Sequence, residues 1–408
     1  MDDVTGFGGG ILLVAAALTA ALFASKLSER VSVPAAAPFL VAAAVASDIF
    51  PGLVVSTETV IRLATVALIV ILFDGGLSIG WRRFRASTVP ITSLGVIGTF
   101  ATAGGAALFA HYVIGLDWTA AGLLGAAVAP TDPAVMFSVL GDREIAGRTG
   151  TILQGESGAN DPVGIALMIG MIELAERPDA SAWIVVQEFS LEMAIGLGIG
   201  VTGGLLLGEA LKRFSLPSPG LYTLRMLAGA GVIYGVTAVA GGSGFLAVFV
   251  AGLLIGDVRA PFKAESEVFH EALSSLAEIV VFVALGLTIS ISSLGGETWR
   301  DGLLLSAALA FVIRPCVVWP LLLPTRLRHG ERAFVVWGGL KGAVPILLAA
   351  FALGHGIHDA GRIYDLVFVV VLASVLVQGT TIAYAARRLG VPMRRITPTP
   401  HSERETHA

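Results

Sequence analysis

Residues 155–162 read GESGANDP, and an apolar run at 163–171 follows them. This stretch carries two carboxylates, Glu156 and Asp161, into a segment that the sequence predicts to lie within a membrane. Ionisable groups at that depth are costly and are typical of a functional site. A second polar stretch, APTDP at 129–133, interrupts another apolar segment, and its two prolines remove helical hydrogen bonds. Two polar, broken segments in an apolar chain indicate a cation site.

The composition places the whole chain in a membrane. Of its 408 residues, 55% are hydrophobic and only 14% are charged, and the mean hydropathy is +0.84, which excludes an ordinary soluble domain. The one cysteine, Cys316, excludes an intrachain disulfide. Because Asp2 and Asp3 stand where a secretory signal has basic residues, we take the apolar run at 8–24 as the first membrane span and not as a cleaved leader.

Hydropathy windows predict an all-α polytopic fold with about thirteen membrane helices. Their limits are near 9–27, 35–50, 57–77, 87–112, 119–140, 148–175, 184–211, 220–240, 243–256, 268–290, 298–323, 332–353 and 361–386. The ninth span is short and rich in glycine, so a merged or re-entrant segment there would change the count by one.

The basic residues predict the orientation of the chain, because they cluster in every second connection between spans. The clusters are Lys26 and Arg30, then Arg82, Arg83 and Arg85, then Arg143 and Arg148, then Lys212 and Arg213, then Arg259 and Lys263, then Arg326, Arg328 and Arg332, then Arg387, Arg388, Arg394 and Arg395. The positive-inside rule therefore places the N-terminus outside the cell and the C-terminus in the cytoplasm. We expect the membrane to be the cell (inner or plasma) membrane. Residues 1–388 form a single transmembrane domain, and 389–408 are predicted to be a short polar tail without a soluble domain.

Interruptions in spans five and twelve indicate an internal repeat. GGLKGAVP at 338–345 breaks span twelve as PTDP at 130–133 breaks span five. If residues 9–176 and 220–388 are repeats, the linking helix at 184–211 inverts the second copy, an arrangement typical of secondary transporters with a midplane site. The ends of the half-helices carry opposed partial charges, and Asp132 and Lys341 are placed to compensate them.

Four motifs, taken in order, resemble those of a known family. They are FDGGL at 73–77, APTDP at 129–133, ESGANDP at 156–162 and WGGLKGAVP at 337–345. The family is that of the monovalent cation:proton antiporters of the NhaP and eukaryotic sodium/proton-exchanger type, and the detail is most similar to its bacterial potassium/proton branch. The resemblance covers nearly the whole membrane domain. It implies an NhaA/NhaP-like antiporter fold, in which a dimerisation domain flanks a six-helix core where the two broken helices cross beside the ion site.

The resemblance also implies roles for the site residues. Asp161 would bind either the cation or the proton, and Asp132, Thr131 and Ser157 would complete an oxygen cage for a monovalent cation held at Asp161 and Asp132. Asn160 lies beside Asp161, and a purely orienting or capping role for it stays open. A carboxylate shielded from water holds its proton more tightly than one in water, so proton and cation can compete for it near neutral pH.

Further charged residues fall within the predicted spans. Asp74 in span three is a further candidate for binding the cation or the proton; it ranks below Asp161, because it could line the entry path or sit at the cytoplasmic end near Arg82. Arg314 stays protonated in proteins, so we expect it to form a structural ion pair with Glu278 and not to carry protons. We expect a second structural ion pair between Glu156 and Lys341, because buried charges need partners.

The resemblance also bears on stoichiometry and partners. Electrogenic relatives have two adjacent aspartates and a lysine where this chain has Asn160, Asp161 and Arg314, which favours electroneutral exchange. Lys341 stands where many relatives have arginine and can itself titrate, so the stoichiometry stays open. The family implies Na+, K+ or Li+ and H+ as the transported ions, no cofactor, a role in pH homeostasis, and a homodimer in the lipid bilayer that binds no nucleic acid.

Two other classes of function remain open. A channel uses similar oxygen ligands, but two crossed breaks beside a titratable carboxylate fit alternating access better than a continuous pore. An intramembrane hydrolase with Asp161 and Asp132 as its catalytic dyad would need a nucleophile with its base, or metal ligands. The sequence offers no HExxH motif, no cysteine pair and no embedded histidine beside the carboxylates. We therefore predict a transporter and not an enzyme.

Overall fold

A computed structural model describes residues 19, 34, 36–50, 55–140, 143–177 and 182–395 of the chain. Long helices joined by short turns make up almost all of this part, as the hydropathy pattern predicts. The first predicted span, 9–27, lies outside the described residues apart from Thr19, as do Lys26 and Arg30.

The described helices match predicted spans two to thirteen. They are α1 (Ala36–Ile49), α2 (Thr57–Ala86), α3 (Thr88–Ile114), α4 (Trp118–Val128), α5 (Pro133–Leu140), α6 (Gly147–Glu176), α7 (Ala182–Arg213), α8 (Pro219–Val239), α9 (Gly244–Gly256), α10 (Lys263–Gly286), α11 (Gly296–Leu322), α12 (His329–Trp337), α13 (Ala343–Gly354) and α14 (Ala360–Arg388). Of the described helices, seven are long and apolar enough to cross a membrane, namely α2, α3, α7, α8, α10, α11 and α14. Spans five and twelve are each broken into two half-helices, α4 with α5 and α12 with α13, as predicted.

Span six is different, because the break expected at 155–162 does not exist. Helix α6 runs without interruption from Gly147 to Glu176 with Pro162 inside it. A proline within a helix removes one hydrogen bond and crowds one carbonyl, and the surrounding packing can hold the helix together across it. The polar residues of this stretch therefore lie along a continuous helix, and only spans five and twelve supply irregular backbone.

The helices pack in two groups. The first bundle consists of α1, α2 and α7 to α10, and the second bundle consists of α3 to α6 and α11 to α14. Helices α6 and α13 of the second bundle also contact α2 of the first. Within the first bundle, α2 and α9 approach closely, because a Cβ added to Gly76 would overlap the Phe249 carbonyl and one added to Gly252 would overlap the Phe73 carbonyl. Gly76 of the FDGGL motif thus serves helix packing.

The first residues of the C-terminal tail are ordered against the connection that follows α5. Strand β1 (Arg143–Ile145) pairs antiparallel with strand β2 (Met393–Arg395), and Arg394 forms an ion pair with Glu144. Val391 is buried. The sequence predicts only a polar tail over 389–408, since strands of three residues carry no detectable periodicity.

Candidate functional site

The two broken spans meet where their connecting segments cross. The segment between α4 and α5 and the segment between α12 and α13 are joined by a backbone hydrogen bond, in which the Asp132 N–H donates to the Leu340 carbonyl at 2.8 Å. Four helix ends therefore converge in one buried region. Their exposed N–H groups and carbonyls must find partners there, since no water is available in a bilayer core.

Lys341 provides hydrogen-bond donors for the carbonyl groups at the C-terminal end of α4. Its ammonium group donates to the carbonyls of Ala129 and Pro130 at 2.9 and 3.0 Å, and only 4% of the residue is exposed. These carbonyls belong to the C-terminal end of α4, where the helix dipole is negative. The expected compensation by Lys341 is therefore present in the structure.

Asp132 lies at the N-terminal end of the other half-helix, α13. A Cβ added to Gly342 would overlap the Asp132 carboxylate, so this side chain lies directly against the residue that precedes α13. The N-terminal end of a helix carries a positive partial charge, which favours a carboxylate. Asp132 and Lys341 thus complement the two half-helices in the way that the sequence predicts, and Gly342 must lack a side chain to let the carboxylate approach.

Arg314 joins α11 to the end of α12 and to α6. Its guanidinium donates to the carbonyls of Val336 and Val335 at 2.9 and 3.1 Å, and it forms an ion pair with Glu156 at 2.9 Å. Both charged residues are buried, with 4% of Arg314 and 2% of Glu156 exposed. The planar fork of an arginine can serve carbonyls and a carboxylate at once, which a lysine cannot do.

The expected ion pairs are therefore wrong in their partners. Glu156 pairs with Arg314 and not with Lys341, whose ammonium is taken up by the end of α4. Among the described residues no ion pair joins Glu278 to Arg314; Glu278 on α10 instead lies near enough to Asp132 for the two charges to interact. Sequence spacing identifies which residues are buried charges but not which helix faces meet.

Asp161 is buried beside this crossing. Only 5% of the residue is exposed, and its buried Oδ1 atom has no hydrogen-bond partner among the described residues. Buried carboxylate oxygens are normally satisfied, so an unpaired one is a candidate to hold a proton or a cation. Glu156 at the crossing also has one unpaired oxygen, Oε2, but its other oxygen is committed to Arg314. Its charge interacts with those of Asp132 and Lys341.

The residues next to Asp161 are held firmly. Asn160 donates to the Thr131 hydroxyl at 2.8 Å and accepts from the Thr131 N–H at 3.3 Å. Ser157 donates to the Thr131 carbonyl at 2.7 Å. The structure therefore brings Thr131, Ser157, Asn160 and Asp161 together, and both the nitrogen and the oxygen of the Asn160 amide anchor α6 to the break of span five. Its open alternative, an orienting role, fits this geometry.

Asp74 lies apart from this cluster. It lines a cavity of about 380 Å³ together with Ser78, Asp257, Glu267 and Glu271. Arg83, from a basic cluster that predicts the cytoplasmic side, also lines this cavity. Asp74 therefore lies beside the basic cluster at 82–85, as in the second of the two positions expected for it.

Two polar residues at the crossing escaped the sequence analysis. On α14, the Ser374 hydroxyl accepts from the Lys341 N–H at 2.9 Å and donates to Gln378 at 2.7 Å, and Gln378 donates to the Trp337 carbonyl at 3.2 Å. They anchor α14 to the break of span twelve as Ser157 and Asn160 anchor α6 to that of span five. Their signal was two polar residues one helical turn apart in an apolar span.

Lys341→Met is expected to lower stability by about 1–3 kcal/mol, because the carbonyls of Ala129 and Pro130 would stay buried without a donor. Lys341→Arg retains donors and is expected to keep most of the stability and the activity. Thermal unfolding of the purified protein in detergent measures both. Lys212→Met is the matched control, since Lys212 is half exposed at the end of α7. A Lys341→Met protein as stable as the control would contradict this role.

Comparisons with known proteins agree with this geometry. A model of the family described as "Sodium/hydrogen exchanger, transmembrane" matches residues 14–388. The K+/H+ antiporter NhaP2 of Shewanella sp. (strain MR-4) is 33% identical over 394 residues, which cover 95% of this chain and 67% of that protein. The low-affinity Na+/H+ antiporter NhaS1 of Synechocystis is 27% identical over 338 residues, covering 78% of this chain and 63% of that protein. This chain thus spans about two thirds of the length of these relatives.

A solved structure shares the fold. The sodium proton antiporter MjNhaP1 from Methanocaldococcus jannaschii at pH 8 superimposes with a TM-score of 0.76 at 23% identity, covering 90% of this chain and 98% of that one. At this identity the comparison establishes the arrangement of helices.

Proposed function

We infer the function of this chain from one premise: it belongs to the sodium/hydrogen exchanger family, whose model matches residues 14–388. The resemblance drawn from the four motifs is confirmed, and so is the all-α antiporter fold. The chain is accordingly a multi-pass membrane transporter that exchanges a monovalent cation for protons. The channel alternative has no support among these relatives.

One observation supports a specific mechanism, namely the orphaned Oδ1 atom of buried Asp161. We propose that this carboxylate holds either one proton or one cation, and that Thr131, Ser157 and Asp132 supply nearby oxygens. Competition for a single carboxylate couples the two fluxes, because the site is filled by one ion or the other but is not left charged and empty in the bilayer. The second bundle, which carries the site, then moves against the first bundle to expose it on the other side.

The positions of the basic residues support electroneutral exchange. Arg314 keeps its proton and is held by Glu156 and two carbonyls, and Lys341 donates to two carbonyls at the end of α4. Both positively charged side chains are thus committed to structural contacts. With one exchangeable carboxylate, one cation crosses for each proton and no net charge moves.

Potassium is our first candidate for the cation, followed by sodium. The relative described above as a K+/H+ antiporter covers 95% of this chain, and the resemblance of the FDGGL and GAVP segments points the same way. We further propose that the first bundle forms the interface of a homodimer and that the clusters of arginine and lysine face the cytoplasm. In a cell membrane such an exchanger would serve pH homeostasis.

Proton flux in proteoliposomes tests this function. A pH gradient is imposed, potassium, sodium or lithium is added, and dissipation of the gradient is followed with and without a clamp on the membrane potential. Electroneutral antiport predicts dissipation by at least one cation at a rate that the clamp does not change. A rate that rises when the potential is clamped would contradict electroneutrality, and the absence of any cation-driven flux would contradict antiport itself.

A further inference from the structure

Three metal-ligating side chains meet on two loops at the end of the second bundle that lies opposite the basic clusters. Asp117 precedes α4, and His358 and Asp359 precede α14. Their candidate ligand atoms all lie within 4.8 Å of one another, and all three residues are exposed. The mechanism of exchange uses none of them, and the buried site is formed by other residues.

Hydrogen bonds at the starts of α4 and α14 fix the backbone that carries these side chains. The Asp117 carboxylate accepts a hydrogen bond from the Ala120 N–H at 2.9 Å and so caps the start of α4. The Asp359 carbonyl accepts from the Ile363 N–H at 3.0 Å in the first turn of α14. The His358 Nδ1 atom lies 3.3 Å from an Asp359 carboxylate oxygen. Each ligand therefore stands at the start of a helix that packs in the same bundle, and α4 contacts α14 directly.

The donor set selects the type of ion. One imidazole nitrogen and two carboxylate oxygens, with water completing the shell, suit Zn2+, whereas Ca2+ and Mg2+ prefer oxygen ligands alone. In the tetrahedral geometry of zinc, ligand atoms about 2.1 Å from the ion lie about 3.4 Å apart, so each side chain needs to move by about 1 Å to close the cluster around an ion. Exposed side chains make such shifts easily.

We propose that Asp117, His358 and Asp359 form a Zn2+ site on this face, separate from the cation/proton site. A bound ion would tie the first half-helix of span five to the helix that follows the second half-helix of span twelve. Both ends belong to the second bundle, so the ion would stabilise that bundle without linking it to the first.

Titration of the purified, tag-free protein with zinc chloride tests the proposal. Isothermal calorimetry is expected to give one saturable Zn2+ per chain, and thermal unfolding is expected to shift to higher temperature with Zn2+ but not with Mg2+. His358→Gln is expected to weaken Zn2+ binding by about tenfold or more and to remove the thermal shift. Asp117→Asn is expected to do the same while keeping the helix cap, since asparagine caps well. Both changes are at exposed positions and leave the fold intact.

His355→Gln is the matched control, because His355 is exposed on the loop that also carries His358 and contacts Glu176 at 2.9 Å. It is expected to bind Zn2+ as the parent does. The proposal is overturned if the parent shows no saturable binding. It is equally overturned if His358→Gln binds as tightly as the parent, or if His355→Gln alone removes binding, which would assign the ion to the pair with Glu176.

Discussion

Asp161→Asn is expected to reduce cation-driven proton flux to the level of protein-free vesicles. Asparagine has nearly the shape of aspartate, but it has no charge to hold a cation and does not exchange a proton near neutral pH. The variant is expected to be at least as stable as the parent, because it removes a buried carboxylate whose Oδ1 has no partner among the described residues. Flux in proteoliposomes and thermal unfolding in detergent measure the two effects separately.

Asp301→Asn provides the matched control for a buried aspartate. Asp301 is only 4% exposed, and it is paired with Arg300 at 2.9 Å and Arg362 at 3.4 Å, away from the crossing. The Asp301→Asn variant is expected to exchange cations for protons at close to the parental rate even if its stability falls. Exchange by Asp161→Asn at the parental rate would remove Asp161 from the mechanism, and loss of exchange in both variants would show that the assay reports folding.

Arg314→Met is expected to destabilise the protein by about 3–5 kcal/mol, because it leaves a buried partner charge unpaired. The substitution strips Glu156 of its ion pair and leaves the carbonyls of Val335 and Val336 without their donor. Adding Glu156→Gln to this variant is expected to recover part of the loss, since a neutral amide is less costly to bury than a carboxylate. Thermal or denaturant unfolding of the single and double variants gives the comparison.

Arg62→Met serves as the control for an ion pair in water. Arg62 and Glu58 are one turn apart on α2, and their side chains are 77% and 73% exposed. The loss expected there is less than about 1 kcal/mol. Equal losses for Arg62→Met and Arg314→Met would mean that the buried pair does not hold α6, α11 and α12 together. If the double variant is less stable to unfolding than Arg314→Met alone, the pairing of Arg314 with Glu156 is contradicted.

The sequence predicts the placement of helices well because the bilayer imposes a simple rule on composition. A span needs an apolar run of a certain length, and seven of the described helices meet that requirement, while the others still coincide with predicted apolar runs. The breaks near Asp132 and Lys341 are also readable, since proline and glycine within an apolar run disrupt a helix. Pro162 shows the limit of that signal, because α6 continues through it.

The ion-pair partners of buried charges are harder to predict from sequence than the positions of the helices. Four residues are each recognisable as embedded charges, namely Arg314, Glu156, Lys341 and Glu278. Both of the ion pairs expected among them are nevertheless wrong. Which pair forms depends on the rotation of α11 and on which helix ends need donors, and both are properties of tertiary packing. Asp161 is recognisable from sequence as an embedded carboxylate, because a carboxylate at membrane depth is unusual wherever its neighbours lie.

In the proposed mechanism Asp161 holds a proton or a cation but not both. The most direct test is to add potassium chloride to the purified protein in weakly buffered solution near neutral pH and to measure proton release, with choline chloride as the control and sodium chloride as the second cation. We expect about one proton released per chain as the cation binds, and none from Asp161→Asn. Cation binding without proton release, or equal release from Asp161→Asn, would contradict competition at this carboxylate.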